Sequence, residues 1–506
     1  MLAVNPPPEP APRRPPARSQ PVLWLAAAAF LLALAVKCNT WFHKATERYY
    51  EAAIGGAPAI AEGPQNPGLG LNACEVFMYQ SADAIGDLLH FLTLYLGFVL
   101  ASLVLFTLLS AHWRKGALAA LSAVFLLVAL PHTCGLKLME FGAILYLAFL
   151  LPLPRRPRAL LALLTAVALL WKVGQETVRA TTGLDFQAAI PGSGVLSYPF
   201  LFLMLALWFA VLHRVVRLAH EVFTGSVDVP RPLDFALYLL GLPILVGNGV
   251  APGYAHFVAA WDREPDAGRG AVTLARCMAA ALLLTIIART AYYPTVRLFF
   301  PHCDVAFVLV WQIWARYGLS LVCDFLFLVT TQQTSVAVAR LFGIALRDNY
   351  QAPLLAHDPA DFWRRWSIYW REFLVTIAYL PTALALARWQ GARRAWHVLP
   401  AVAVTFAATW AFNVLPVALL APANPAMLPL SDVARSLGLY YGMQSAAVAL
   451  TLLAQQIRPR PSAAWARVLG IAATFTLMAT LRGLTDPLWS FHEKLQLLGR
   501  ALGILR

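Results

Sequence analysis

WQIWARYGLSLVCDFLFLVTTQQTSVAVARLFGIAL, from Trp311 to Leu346, runs directly into RDNYQAPLLAHDPADFWRRWSIYWREFL, from Arg347 to Leu374. The first half is long and apolar enough to enter a bilayer, whose core takes about 20 residues of helix. Yet it carries Arg316, Asp324 and the polar run Thr330, Thr331, Gln332, Gln333, Thr334 and Ser335. Ionisable groups at membrane depth are costly and mark functional positions. Arg316 and Asp324 stand eight residues apart, near one face of a continuous helix, which predicts an intramembrane ion pair, direct or through a helix end. The polar run is expected to break the helix or line a cavity. In the second half, Trp363, Trp366 and Trp370 recur at spacings of three and four, as on one face of an amphipathic helix. Arg364, Arg365 and Arg371 interleave with them as side chains do at a headgroup layer.

The rest of the chain supplies the setting. Of its 506 residues 60% are hydrophobic and 13% charged, against about 45–50% and about 25% in soluble proteins. This excludes a disordered, collagenous or ordinary cytosolic protein and makes lipid the main partner. The net charge of +14 comes without a long basic run or an acidic tail, so it reads as membrane topology, with no nucleic-acid partner. The expected fold class is all-α and polytopic, with about 11–13 transmembrane or re-entrant helices.

Residues 1–21 are Pro-rich and basic, a disordered cytoplasmic tail. Residues 22–217 form N-terminal transmembrane helices, beginning with a signal anchor over Val22–Val36 and including a polar, non-cytoplasmic loop near residues 40–87. Residues 230–456 form a core, and residues 457–506 a C-terminal helix and tail. The basic clusters at His112–Lys115, Arg155–Arg158 and His213 to Arg217 fall in alternate loops and put the N-terminus in the cytoplasm. Acidic loops with Glu47, Glu51, Glu62 and Glu75, and with Asp262, Glu264 and Asp266, face the other side. The alternation then breaks around the long stretch Val305–Val329, and either AYYPTVRLFF or that stretch itself is expected to enter the membrane and turn back. Six cysteines show no zinc spacing, so no metal is expected; Cys38 and Cys74 bracket the polar loop and are either free thiols or a disulfide. His302-Cys303-Asp304 is discounted as a metal cluster, since three consecutive helical residues cannot face one ion.

The order of elements after Asp324 is more specific than any one of them. Asp324-Phe325, Ala339-Arg340-Leu341-Phe342-Gly343, Asn349-Tyr350, Pro353-Leu354-Leu355-Ala356 and Asp361-Phe362-Trp363-Arg364-Arg365-Trp366 follow one another. This series resembles the signature region of the membrane-bound O-acyltransferase (MBOAT) family, especially its bacterial polysaccharide-acetylating branch. LDFALYLLGLPILVGNGVAP from Leu233 is similar to the family's Asp-Phe helix and following loop, so the resemblance spans roughly Pro232 to Gln456.

What the resemblance implies is a funnel-shaped inner-membrane acyltransferase. It would take an acyl group from acyl-coenzyme A or an acyl-carrier thioester, with no bound cofactor. The acceptor would be a hydroxyl of a polysaccharide or envelope glycan, and a periplasmic acyltransferase an expected partner. Arg340, Arg364 and Arg365 would meet donor phosphates or headgroups, Trp363 and Trp366 would line the tunnel mouth, and Ser367 and Asn413 its interior; Asp324, Asn349 and Trp410 complete the candidate set.

The chain departs from the family where chemistry is concentrated. Active relatives usually carry histidine after the closing tryptophan of WRRW, with asparagine in some branches, and a second histidine after a later tryptophan as general base. The matching positions hold Ser367 and, after Trp410, Ala411. His397 lies thirteen residues before Trp410, about 20 Å along a helix, and reads as an interfacial histidine; His357 reads as a solvated loop residue. No catalytic base is assigned. A catalytically inactive binding or scaffold protein of envelope glycan modification is the alternative, and a transporter or lipid-linked sugar flippase is weakened by the lack of internal repeats.

Overall fold

The computed structural model describes residues 20–54, 73–129, 132–182, 197–245, 252–261, 267–292, 309–390, 394–420, 430–457, 464–485 and 490–504. These are almost wholly helical, with no strand among them. Seven of the helices are long and apolar enough to cross a membrane: Pro21–Phe42, Leu88–Phe106, Ala267–Tyr292, Val310–Leu341, Val398–Leu415, Leu430–Gln455 and Ala464–Thr485. The chain is an all-α multi-pass membrane protein.

The N-terminal half comprises α1 (Gln20–Ile54), α2 (Ala73–Leu108), α3 (Ala111–Ala129), α4 (His132–Leu150), α5 (Arg155–Thr182) and α6 (Ser197–Thr224). The loop expected near residues 40–87 is shorter than that, because α1 continues to Ile54 and α2 starts at Ala73. Cys38 is a free thiol, and the Cys74 side chain lies outside the described residues. Residues 1–19, Glu62, Gly249-Val250-Ala251, the Asp262–Asp266 loop, Thr295–Phe300 and His302-Cys303-Asp304 lie outside the described residues.

The helix expected from Leu233 is broken early. α7 (Pro232–Leu240) stops at Gly241, and α8 (Leu242–Leu245) is a single turn containing Pro243. Breaking a helix orphans backbone groups, and in a membrane protein they must find partners inside the protein. They do. Ser122 Oγ accepts from the Leu242 N–H at 2.8 Å, and the Tyr95 hydroxyl donates to the Leu242 carbonyl at 2.8 Å. Arg214 donates to the Leu239 carbonyl at 2.7 Å and also to that of Ile244.

That last contact corrects the sequence reading. His213 and Arg214 were expected in a basic cytoplasmic loop, but α6 runs through them to Thr224, and both are buried. Basic residues mark topology only when solvent or headgroups meet them; Arg214 meets carbonyls. Arg158 behaves similarly, donating to the backbone and side chain of Asp228 at 2.9 and 2.8 Å.

The C-terminal half follows α9 (Tyr254–Ala260) and α10 (Ala267–Ile287) with α11 (Val310–Leu328) and α12 (Thr334–Leu341), then α13 (Pro359–Arg365), α14 (Ile368–Leu374) and α15 (Leu380–Gln390). The long helices α16 (Arg394–Leu420), α17 (Leu430–Ile457) and α18 (Ala464–Arg482) and the short α19 (Phe491–Ala501) complete it. A large core joins α1–α10 to α12, and smaller clusters seat α13 and α14 against α16, α17 and α18.

One close approach fixes α18. A Cβ built at Gly470 would lie 2.4 Å from the His357 carbonyl oxygen, whereas one at Gly442 of α17 would meet nothing within 4 Å. Overpacking of this kind costs about 1–3 kcal/mol. Gly470→Ala is therefore expected to lower the thermal unfolding temperature of the purified protein, while Gly442→Ala leaves it unchanged or raised.

Candidate functional site

The polar run after Asp324 does not end its helix. A single π turn, Val329–Gln333, carries α11 into α12, and such an extra residue turns side chains off the regular faces of a helix. Gln332 and Gln333 emerge here, both buried. Gln332 Oε1 accepts from Asn349 Nδ2 at 2.8 Å and from the Tyr350 hydroxyl at 2.5 Å. Gln333 accepts from the Asn349 N–H at 2.8 Å and donates to Asp348 at 2.7 Å.

Those bonds hold the irregular chain that leaves α12. The helix closes with Gly343 at φ +89°, where the Gly343 N–H meets the Arg340 carbonyl at 3.0 Å and the Ile344 N–H meets that of Ala339 at 2.9 Å; glycine is the residue that accepts this left-handed position. Arg340 was expected at donor phosphates or headgroups. Its side chain is only 2% exposed and instead binds the Leu346 carbonyl, Thr273 and Asp348 at 2.7–2.9 Å.

The tryptophan-arginine element is not one amphipathic helix. α13 ends at Trp366, Ser367 takes φ +41°, and α14 starts anew. Asn349 clamps the reversal, its backbone carbonyl accepting from the Ile368 N–H at 2.8 Å and its Oδ1 from the Tyr369 N–H at 3.1 Å. Trp366 stacks on Phe362 with centroids 5.1 Å apart and meets the Tyr350 ring edge-on at 5.7 Å, with Phe325 beyond at 6.2 Å. Trp363 crosses Phe406 at 5.1 Å and leaves its buried Nε1 without an acceptor.

Arg364 and Arg365 both reach Asp361, at 3.2 and 2.9 Å. His357 is no solvated loop residue. Its Nδ1 lies 2.8 Å from Asp361 and its Nε2 3.2 Å from Asp358, which caps α13 by accepting from the Asp361 N–H at 2.6 Å. Burial opposes the Asp361 charge, but the Arg365 hydrogen bond and charge, aided by His357 and Arg364, outweigh it and hold the carboxyl below its ordinary range.

Two sequence expectations part company with the geometry. Asp324 pairs not with Arg316 but with Arg482 of α18; positions eight residues apart stand about 12 Å apart along a helix, more than one arginine and the short aspartate side chain span. Trp410 donates to the Ala434 carbonyl at 2.9 Å and so faces α17, and Asn413 donates to the Thr409 carbonyl of its own helix at 2.8 Å. Ala411 is exposed, and the His397 side chain lies outside the described residues. Asn349, Tyr350 and Ser367, all buried, form one cluster with the half-buried Trp366; Trp410, Ala411 and Asn413 are directed elsewhere.

One residue went unnoticed in the sequence. His213 is 1% exposed, with its ring 4.0 Å from that of Phe373 and 5.1 Å from that of Trp370, and neither ring nitrogen has a hydrogen-bond partner. Trp370 and Phe373 pack in turn on Phe412. Its position inside an arginine-rich motif disguised it; only the unbroken apolar face of α6 could have signalled burial.

Among the described residues no group of His, Cys, Asp and Glu could hold a metal ion. No family model and no curated protein matches the chain.

Two outcomes follow from this hairpin. A left-handed φ is strained for most side chains and easy for glycine, so Ser367→Gly should keep or raise the unfolding temperature and Ser367→Val should lower it by the equivalent of about 1–3 kcal/mol. Because the Asp361 carboxyl is held low, its contribution is complete above the ordinary aspartate pKa of about 4 and is lost as pH falls through the lowered value. Melting temperatures of Asp361→Asn should therefore fall less steeply below about pH 4 than those of the parent.

Proposed function

We propose that the chain is an MBOAT-like O-acyltransferase of the inner membrane, with its N-terminus in the cytoplasm. It moves an acetyl-like group from a cytoplasmic thioester, acyl-coenzyme A or an acyl carrier, to a hydroxyl of a polysaccharide or envelope glycan, alongside a periplasmic acyltransferase partner. The observation that carries this reading is the Asn349–Tyr350–Trp366–Ser367 cluster: residues of two elements of the ordered series, with the serine that follows the second, folded into one hairpin beside a candidate membrane span.

The proton is the difficulty. Ser367 has a hydroxyl suited to holding a substrate group, and its left-handed backbone explains why histidine and asparagine, both enriched at positive φ, would occupy this place in relatives. Ala411 supplies nothing. His213 packs beside the same hairpin with two uncommitted nitrogens, and we assign it the role of base toward the acceptor hydroxyl. In this conformation Trp370 and Phe373 cover the ring, so turnover requires one of them to swing aside.

Purified protein given acyl-coenzyme A donors and envelope glycans should transfer acyl groups, with a rate reduced about 10²- to 10⁴-fold in His213→Gln at unchanged unfolding temperature. Absence of turnover across a broad donor panel overturns the transferase reading. The exposed Ala411 favours the alternative, a non-catalytic glycan-modification scaffold on the same fold. Under it, Ser367→His combined with Ala411→His leaves the cellular phenotype unchanged; a gain of acylation argues against it.

A further inference from the structure

Asp324 and Arg482 meet across the interface of two candidate membrane spans, on α11 and at the end of α18. A third span, α17, brings Tyr440 and Gln444 to the same place. Tyr440 lies within electrostatic range of both charges, and its hydroxyl pairs with the Gln444 side chain; Arg482 also binds Thr485.

Three features distinguish this cluster from a structural ion pair. The charged side chains are not sealed: Asp324 is 37% and Arg482 26% exposed. Ionisable groups within spans face the bundle interior or a water-filled cavity rather than lipid, so a polar occupant is expected at the exposed portions. Gln444, by contrast, is 1% exposed and its Oε1 has no hydrogen-bond donor. A buried acceptor left empty is costly and calls for a donor from outside the chain. Finally, apolar residues of equal volume often stabilise as well as a buried ion pair, so packing alone gives no reason to keep the charges.

The chemistry of these four side chains selects the occupant. Asp324 and Arg482 cancel in charge, which disfavours an anion or a cation. Arg482 and Tyr440 can donate, Asp324 and the vacant Gln444 Oε1 can accept, and the group that answers both is a hydroxyl, donor and acceptor at once. We propose that Asp324, Arg482, Tyr440 and Gln444 bind a neutral hydroxyl-rich headgroup, a sugar or polyol, between these three spans. Phe325, next to Asp324, packs on Trp366 of the hairpin, so the headgroup would stand beside that cluster. Calling it the acyl acceptor rests on the transferase proposal; its binding does not.

The test is photolabelling of the full chain in lipid nanodiscs with a tritiated octyl glucoside that carries a diazirine on the first alkyl carbon. Label should map to peptides containing Asp324, Tyr440 or Arg482 and drop at least fivefold in Gln444→Leu. Excess octyl glucoside should displace it, whereas the methyl-capped octyl tetraethylene glycol ether, which accepts hydrogen bonds but donates none, should not. Equal displacement by both amphiphiles means adventitious partition only and overturns the site. So does label elsewhere, or label unchanged in a folded Gln444→Leu protein; should that variant lose its unfolding transition, Tyr440→Phe decides by the same criterion. No acyl donor is used, so missing turnover with intact labelling counts against the transferase alone, and missing labelling with intact turnover against this site alone.

Discussion

Gln332 Oε1 takes hydrogen bonds from Asn349 and Tyr350, and the architecture around the hairpin depends on that acceptor being in place. Inside a bilayer a backbone that leaves regular helix must have every polar group answered by protein. Asn349 answers most of them here: its side chain is held by Gln332, its N–H by Gln333, and its own oxygens hold the start of α14. Without the π turn, Gln332 and Gln333 would project one residue out of phase, and Asn349 and Tyr350 would lose these hydrogen-bond partners in the spanning helix.

The same rule governs the break between α7 and α8. There the donors and acceptors come from Ser122, Tyr95 and Arg214 on three other helices. Both irregular regions are thus tied to long helices by side chains that composition would count as surface residues. Their cost is offset locally, each contact contributing about 0.5–1.5 kcal/mol net, while leaving any one partner unmade would cost more than that gain.

Much of this was legible in advance. Apolar length predicts the spanning helices, and polar residues within an apolar run mark the segment that the structure folds into the π turn and the hairpin. What sequence could not show was direction. Asp324 looked toward Arg316 because they are near in sequence, but Arg482 reaches it from 158 residues away. Trp363, Trp366 and Trp370 have helical spacing, yet Ser367 turns left-handed between them, and Asn349 accepts the N–H groups of Ile368 and Tyr369 that the break leaves without helical partners. Arg214 and Arg340 carry the charge of cytoplasmic loops and do the work of buried caps. Periodicity records which face a residue shares and is silent about a partner on another helix.

The contact between Gly470 and the His357 carbonyl also limits how the protein can adapt to its bilayer. Spanning helices accommodate a thinner or thicker membrane by tilting or sliding. At this crossing α18 has almost no clearance, and the backbone it touches adjoins the Asp358 cap and the Asp361 charges. The helix is therefore pinned against the hairpin at that level, and accommodation must come from pivoting about the pin or from helices further away.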